Sequence, residues 1–423
     1  MVQGVFLATD DGEKTLNPIP VRENRWGALA FRDFQFFWAH GLFLGAARNM
    51  REMLTFLLVF QLSGSALQLG LTGLFQGGPA IVFGFIGGAL ADTLNRKKLI
   101  VLTQVANIVS GAILVGLIFS DLVQVWHLWG LTAFWSSVAV LGRPAQRAYV
   151  PRLVPKEHLM NAVTWYGALS QSTLFIGPMI AGFLVAFVGI GWAYVGNVAM
   201  LILTLLSAMA IRTSGAPDVP GAKPSVRTVW EGVLFVRKTP VLLSAMVMDT
   251  GVMSVGFVRP LLPILALDVY HAGEAGLGVM NAVTAIGAAL GTLVLLKAGD
   301  VKRKGVLIIL AYATYALGLA ALGLAPWFWL ALSALALLGF MDVVAFTIKQ
   351  ALIQIIAPDN FRGRAASLSS ILSNTGNSAG AVEMGSLASV AGAPGALIIN
   401  SGIAMGMVVG IGLRWIGLWR YHD

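Results

Sequence analysis

The chain has 423 residues, of which 57% are hydrophobic and 11% charged, with a formal charge of +9 and no cysteine. Soluble domains carry roughly 25% charged residues, and a single soluble core stops growing near about 250–300 residues. A water-exposed globule is therefore excluded, and the missing cysteines exclude disulfides, thiolate metal sites and cysteine nucleophiles.

The tail 1–32 is polar and mixed in charge, with Asp10, Asp11, Glu13, Lys14, Arg22 and Glu23. It lacks the basic, apolar and small-residue order of a cleaved signal peptide, so the first span is expected to stay in the mature protein. Apolar stretches of about 20 residues, the length that crosses a bilayer, fall near 34–60, 69–91, 99–120, 122–143, 160–187 and 191–211. The interval 212–240 begins as a Gly- and Pro-rich linker. It continues as an amphipathic helix over 226–236, with Val226, Val229, Trp230, Val233 and Leu234 on one face, suited to lying on a membrane surface. Six more spans follow near 241–266, 276–297, 305–325, 327–349, 364–389 and 394–414, then a tail over 415–423. The expectation is an all-α membrane protein of twelve transmembrane helices. It comprises a six-helix bundle over 33–211, a linker over 212–240 and a second six-helix bundle over 241–414.

Basic residues orient the spans. Of the 28 Lys and Arg, 25 fall in the two tails, Arg96–Lys98, Arg143–Lys156, Arg212–Lys238, Lys297–Lys304 and Lys349–Arg364. The intervening loops have none, so both termini are expected in the cytoplasm of a cell (inner) membrane. The +9 is then a positive-inside signature, and no nucleic-acid partner is expected. The halves repeat weakly: Gly70 and Asp92 match Gly278 and Asp300 at an offset of 208, and Leu153-Val154-Pro155 matches Ile356-Ala357-Pro358 at 203.

A charge at bilayer depth costs about 2.5–3.5 kcal/mol on insertion scales, so it usually faces the bundle interior and has a task. Seven such groups stand out: Arg48, Arg51 and Glu52 in the first span, Asp249 and Arg259 in the seventh, Asp342 in the tenth and Glu383 in the eleventh. Arg48 and Glu52 share a helix face and are placed to pair, and Arg51 lies about 60° round from Arg48. This is either a cationic site for an anionic or zwitterionic substrate group, joined by Arg259, or an ion-pair network that fixes helix register. Proton coupling needs a carboxylate whose ionisation changes with exposure; Glu52, Asp249, Asp342 and Glu383 qualify, Glu52 and Asp249 first. Glu383 is alternatively a partner for Asn374 or Asn377. Trp135 and Trp165 lie deep enough to stack on a planar ligand or simply to pack. Trp126, Trp192, Trp327 and Trp329 suit interfacial anchoring. Glycines four apart, at Gly73/Gly77, Gly84/Gly88, Gly287/Gly291, Gly376/Gly380 and Gly402/Gly406/Gly410, suit close helix packing.

The run Gly88-Ala89-Leu90-Ala91-Asp92-Thr93-Leu94-Asn95-Arg96-Lys97-Lys98 resembles the signature loop of the major facilitator superfamily. Thr93 stands where a basic residue is usual and Asn95 where Gly is usual. Asn95 tolerates a left-handed backbone better than most residues, so the turn is expected to survive the replacement. Arg143-Pro144-Ala145-Gln146-Arg147 through Asn161-Ala162 is similar to the loop between helices four and five of drug and siderophore exporters. Gly177-Pro178-Met179-Ile180-Ala181-Gly182 resembles a shortened antiporter motif, with Pro178 bending the helix, and Val258-Arg259-Pro260-Leu261-Leu262-Pro263 resembles helix seven of the enterobactin-exporter branch. The resemblance implies a transporter that rocks two halves about a midplane site, with spans one, four, seven and ten lining the cavity. It also implies a conformational latch of Gly88, Asp92, Arg96 and Arg143 or Arg147, closing on the start of helix eleven near Gly363-Arg364.

The five His are isolated and no Walker loop occurs, so no metal, cofactor, ATP hydrolysis or enzyme activity is expected. The partners expected are the lipid bilayer, a small-molecule substrate and protons, acting on a monomer. The reading is a proton-coupled exporter of a small amphipathic, siderophore-like or drug-like molecule. A proton-coupled importer of an organic anion and a non-transporting scaffold or sensor are the alternatives.

Overall fold

The computed structural model describes residues 27–93, 95–215, 226–299, 301 and 303–414, and within these all side chains except those of 80–93, 147, 171, 226–230, 359 and 360. These residues form helices α1 (Arg32–Ser63), α2 (Ala66–Thr93), α3 (Arg96–Phe119), α4 (Val125–Tyr149), α5 (Leu159–Ala210) and α6 (Val226–Lys238). They continue as α7 (Pro240–Gly256), α8 (Gly273–Ala298), α9 (Lys304–Leu324), α10 (Phe328–Ile356) and α11 (Asp359–Arg414), with no strand among the described residues. Seven helical stretches are long and apolar enough to cross a membrane on length and composition alone.

Two of these helices are too long for one crossing. At 1.5 Å per residue, the 52 residues of α5 and the 56 of α11 would each run about 80 Å, against a hydrocarbon core of about 30 Å. Each is broken at one glycine with positive φ, Gly189 (82°) and Gly392 (72°), a backbone open to glycine because it lacks Cβ. The chain folds back there. A Cβ on Gly196 would lie 2.9 Å from Leu184, and Asn400 donates to Glu383 at 2.7 Å although 17 residues apart. Both breaks fall where the sequence places turns, and they are 203 residues apart.

The helices pack in two sets. Helices α1 to α5 pair as α1 with α5, α2 with α4, and α3 with both α4 and α5; helices α7 to α11 pair as α7 with α11, α8 with α10, and α9 with both α10 and α11. Helices α1 and α2 also touch the short turns that follow α7, and two helix pairs join the sets, α2 with α11 and α5 with α8. Their crossings are glycine contacts. A Cβ on Gly70 would lie 3.1 Å from the Cα of Gly385, and one on Gly182 would lie 2.6 Å from the Cα of Gly278. Gly278 stands 208 positions after Gly70 and Gly385 stands 203 after Gly182, the offsets found in the sequence. The two crossings are thus counterparts within one internal repeat.

Both crossings lie on the face that carries the α1–α2 turn and the glycine breaks, termed here the distal face. The face carrying the start of α1 and the end of α11 is the terminal face. Gln61 near the end of α1 also reaches Glu274 at the start of α8 on the distal side, at 3.4 Å. Among the described residues, the glycine contacts that join the two sets all lie on the distal side or at mid-depth.

Several local features differ from the sequence expectation. The seventh span is not continuous: α7 ends at Gly256, Phe257 is extended, and a 3-10 turn (Arg259–Leu261), one α turn (Leu262–Ile264) and a π turn (Leu265–Val269) follow. Pro260 and Pro263 supply no backbone N–H, which breaks the helical ladder there. Asn95 is not left-handed; at φ −61° it caps α3, its side chain accepting from the Lys98 N–H at 3.1 Å. Helix α6 forms as expected but docks on the start of α11, through Glu231–Arg364 at 2.9 Å and a Phe235–Phe361 stack at 4.8 Å. The linker residues before it are pinned to the first set of helices, where Asp33 accepts from the Thr213 N–H at 2.7 Å and Arg96 N–H bonds Gly215 O at 2.7 Å.

The glycine spacings divide cleanly. Gly287 and Gly291 face the α10 backbone, and Gly376 and Gly380 face that of α7. Gly402, Gly406 and Gly410 have nothing within 4 Å of an added Cβ, so their spacing is not a packing seam. Replacing these three with Ala is expected to leave the melting temperature unchanged or raise it, since Gly costs about 1 kcal/mol against Ala in a helix. Gly380→Ala, whose Cβ meets the Met253 carbonyl oxygen, is expected to lower it in the same melting experiment.

Candidate functional site

The deep charges group into three clusters and one separate pair. At mid-depth, Glu52 of α1 accepts from Arg259 Nη1 at 3.0 Å. The break after Gly256 brings Arg259 there. Arg259 belongs to the second helix set, so this ion pair bridges the two sets, and Gln76 of α2 bonds the same carboxylate. The pairing of Arg48 with Glu52 drawn from their spacing is corrected: the partner is Arg259. Arg48, one turn toward the terminal face, is exposed, with Glu52 and Arg259 as the charges in its reach.

Arg51 turns into the first helix set. Its Nη1 donates to Asn107 of α3 at 3.3 Å, and its guanidinium lies 4.2 Å from the ring centre of Trp135 in α4. A cation over an indole face gains about 0.5–2 kcal/mol, the upper end when desolvated. Trp135 is 5% exposed and donates its indole N–H to Ser110 at 2.7 Å. In this conformation Trp135 supports Arg51 and presents no free face to a ligand, which is the packing alternative of the two open to it. Trp165 is half-buried near the terminal face, edge-on to Trp38 at 6.4 Å. Trp38 is ten residues before Arg48, about 15 Å along α1, so Trp165 sits apart from the charged centre.

The second set holds a closed ionic cluster. Asp249 of α7 accepts from Lys349 of α10 at 2.5 Å, from Tyr312 of α9 at 2.6 Å and from Ser373 of α11 at 2.6 Å. Lys349 also donates to Ser373 at 2.8 Å. Four helices meet on one carboxylate. Assigning Lys349 to a loop, and counting it among the basic loop residues, is corrected: it is 1% exposed inside α10. The signal was available, since Ile348, Ala351, Leu352 and Ile353 continue the apolar run past it.

Asp342 lies seven residues before Lys349, nearly two helical turns, hence on the same inward face of α10. It is exposed and, among the described residues, makes no hydrogen bond or ion pair; Asp249, Arg259 and Lys349 are the charges in its reach. Glu383 is bonded by Asn400, which is fully buried, rather than by Asn374 or Asn377.

Of the expected latch, Gly88, Asp92 and Arg147 lie outside the described side chains. Arg96 donates to Ala148 O at 3.1 Å, and Arg143 is half-buried at the terminal end of α4. In the helix-five motif, an added Cβ on Gly177 would lie 2.5 Å from Ala46 O of α1, Gly182 meets Gly278 of α8, and Pro178 lies within helical backbone. Trp126, Trp192, Trp327 and Trp329 are all exposed, in keeping with interfacial positions. No cluster of His, Asp and Glu able to hold a metal occurs among the described residues.

The chain has relatives by sequence and by fold. The family model described as transmembrane secretion effector matches residues 23–416. The chain is 30% identical over 361 residues to the enterobactin exporter EntS of Shigella boydii serotype 18 and of Escherichia coli O1:K1, spanning 84% of this chain and 82% of each relative. Among solved structures, it superposes with TM-score 0.72 on a POT family transporter in complex with 5-aminolevulinic acid, at 14% identity, covering 92% of this chain and 97% of that one. It superposes with TM-score 0.66 on a bacterial homologue of the human lysosomal transporter Spinster, in an inward-facing and unoccupied conformation, at 16% identity, covering 92% and 97%. The chain therefore belongs to the transmembrane secretion effector family of the major facilitator superfamily: it is a multi-pass membrane transporter and not an enzyme.

Proposed function

We propose that this transporter is a proton-coupled exporter of a small amphipathic organic molecule, working as a monomer in the cell (inner) membrane by alternating access. It crosses twelve times, as six-helix bundles 33–211 and 241–414, with both termini cytoplasmic. The observation that carries this is the Glu52–Arg259 bridge at mid-depth between two helix sets that touch through glycines on the distal side. Rocking the sets apart at the distal face and together at the terminal face would alternate exposure of that centre. The similarity to exporters supports outward movement of a siderophore-like or drug-like cargo.

The central charges favour one rival. Arg48 is exposed and, among the described residues, without an ion-pair partner, which suits import of an organic anion with a proton. Purified protein in liposomes of defined orientation separates the two. Export by exchange predicts proton release from the lumen as substrate accumulates in inside-out vesicles; accumulation together with proton uptake in right-side-out vesicles would establish import instead. Arg48→Ala, at matched protein level, is expected to lower transport at least tenfold; unchanged transport removes Arg48 from the substrate site.

A further inference from the structure

The charged side chains of the central site form an alternating row. Arg48, Glu52, Arg259 and Asp342 run from α1 to α10, each with the next in electrostatic reach. The inner two neutralise each other at 3.0 Å. The outer two are exposed, opposite in sign and, among the described residues, without a bonded partner. An exposed charge at this depth is stable only where water or a ligand replaces lost hydration. The other deep carboxylates are occupied: Glu52 by Arg259 and Gln76, Asp249 by Lys349, Tyr312 and Ser373, and Glu383 by Asn400.

We infer that the central site takes a zwitterionic amphipath, its anionic group at Arg48 and its cationic group at Asp342, and that the transported proton competes with the cationic group for Asp342. This rests on the proton-coupled reading above. The groups facing Asp342 are Arg259 of the 3-10 turn, Tyr315 and Tyr312 of α9, Asp249 of α7 and Lys349 of its own helix. Lys349 is held by Asp249 and Arg259 by Glu52, so neither cation closes on Asp342.

Linkage fixes the sense of coupling. A ligand that binds more tightly when Asp342 is ionised expels a proton on binding, and by reciprocity a proton expels that ligand, which is exchange. A purely anionic ligand does the opposite. Protonating Asp342 removes a negative charge from its site, so anion and proton bind together and the coupling is symport. Exchange at this site therefore requires a positive group on the cargo. Ligand affinity should rise with pH as Asp342 ionises for a zwitterion or a cation, and fall for an anion.

Three planar dyes of related shape provide the probes: rhodamine B, a zwitterion; rhodamine 6G, a cation; and fluorescein, an anion. Fluorescence polarisation with the full-length protein in nanodiscs should show rhodamine B binding at least tenfold more tightly than the other two, with proton release. Arg48→Gln should reduce rhodamine B to the rhodamine 6G level. Asp342→Asn should reduce it to the fluorescein level and abolish both proton release and pH dependence, while Asp342→Glu restores them. Absence of a rhodamine B preference, including absence of binding, or retained proton release in Asp342→Asn, overturns the inference. Distances between labels on the terminal and distal faces, measured in the same preparations, report alternating access on their own, so loss of the zwitterion site and loss of the transport cycle are distinguishable.

Discussion

Lys349→Met is expected to be the most destabilising single substitution in the second helix set. Asp249 sits 4% exposed and is held by one ammonium and two hydroxyls from three other helices. Removing the ammonium leaves an ionised carboxylate in a dry interior, and breaking a buried pair from one side costs about 3–5 kcal/mol. Two hydroxyl donors, each worth about 1.5–3 kcal/mol as bonds to a charged group, keep Asp249 from being wholly orphaned, so the lower half of that range is expected. The double variant Asp249→Asn, Lys349→Met removes both charges together and should recover most of the loss, because a buried pair is often no more stable than a neutral replacement of similar volume. Thermal unfolding in detergent, monitored with size-exclusion profiles, measures both. Equal losses in the single and double variants would show that packing, not charge, governs the position.

The same cluster marks the limit of what was legible beforehand. The charges of α1 announce themselves because Arg48, Arg51 and Glu52 interrupt an apolar-rich helix of 32 residues. Lys349 sits near a true helix end, and a lysine there looks like a loop cation; only its depth, set by how far α10 extends to Ile356, makes it a core residue. The Arg48–Glu52 spacing suggested a local pair, and i,i+4 pairs of this kind gain only about 0.2–0.5 kcal/mol. A tertiary partner overrides so weak a preference once the break at Phe257 delivers Arg259. Trp135 read as a possible ligand platform because depth alone does not show which face is covered, and Arg51 covers it. The weak internal repeat proved more informative than its few identities suggested. Its offsets relate Gly70 to Gly278 and Gly182 to Gly385, and the contacts run between the two related pairs, Gly70 against Gly385 and Gly182 against Gly278. Backbone breaks at Gly189 and Gly392 follow the same offset, because both hairpins need a positive φ at the same place in the repeat.

Those glycine crossings support the second large expectation, the effect of adding bulk to the distal seal. Gly182 and Gly278 approach until a Cβ on the former would lie 2.6 Å from the other's Cα, and a Cβ on Gly385 would lie 2.7 Å from the Cα of Gly70. The obstructing atoms are backbone, so no side chain can swing aside, and the helices must separate. Overpacking of this kind costs about 1–3 kcal/mol per site. If the conformation closed at the distal face is the majority form at 99:1, inverting it takes about 5.5 kcal/mol and bringing it to parity about half of that. A single Gly182→Val should therefore shift the balance without reversing it, whereas Gly182→Val with Gly385→Val loads both counterpart crossings and should bring the distal-open form to dominance. The crossings lie in different helix pairs, so their costs should be close to additive. The chain has no cysteine, so pairs of introduced cysteines can carry spin labels without background. Labels across the distal end of α2 and the Gly392 break of α11 should move apart stepwise from wild type to single to double variant, while labels across the terminal end of α2 and the start of α11 should move together. Transport should fall in the same order, more than tenfold in the double variant, because a cycle that cannot reseal one face cannot turn over. Distal distances unchanged in the double variant would mean that the seal yields locally and that these glycines do not govern the exchange between states.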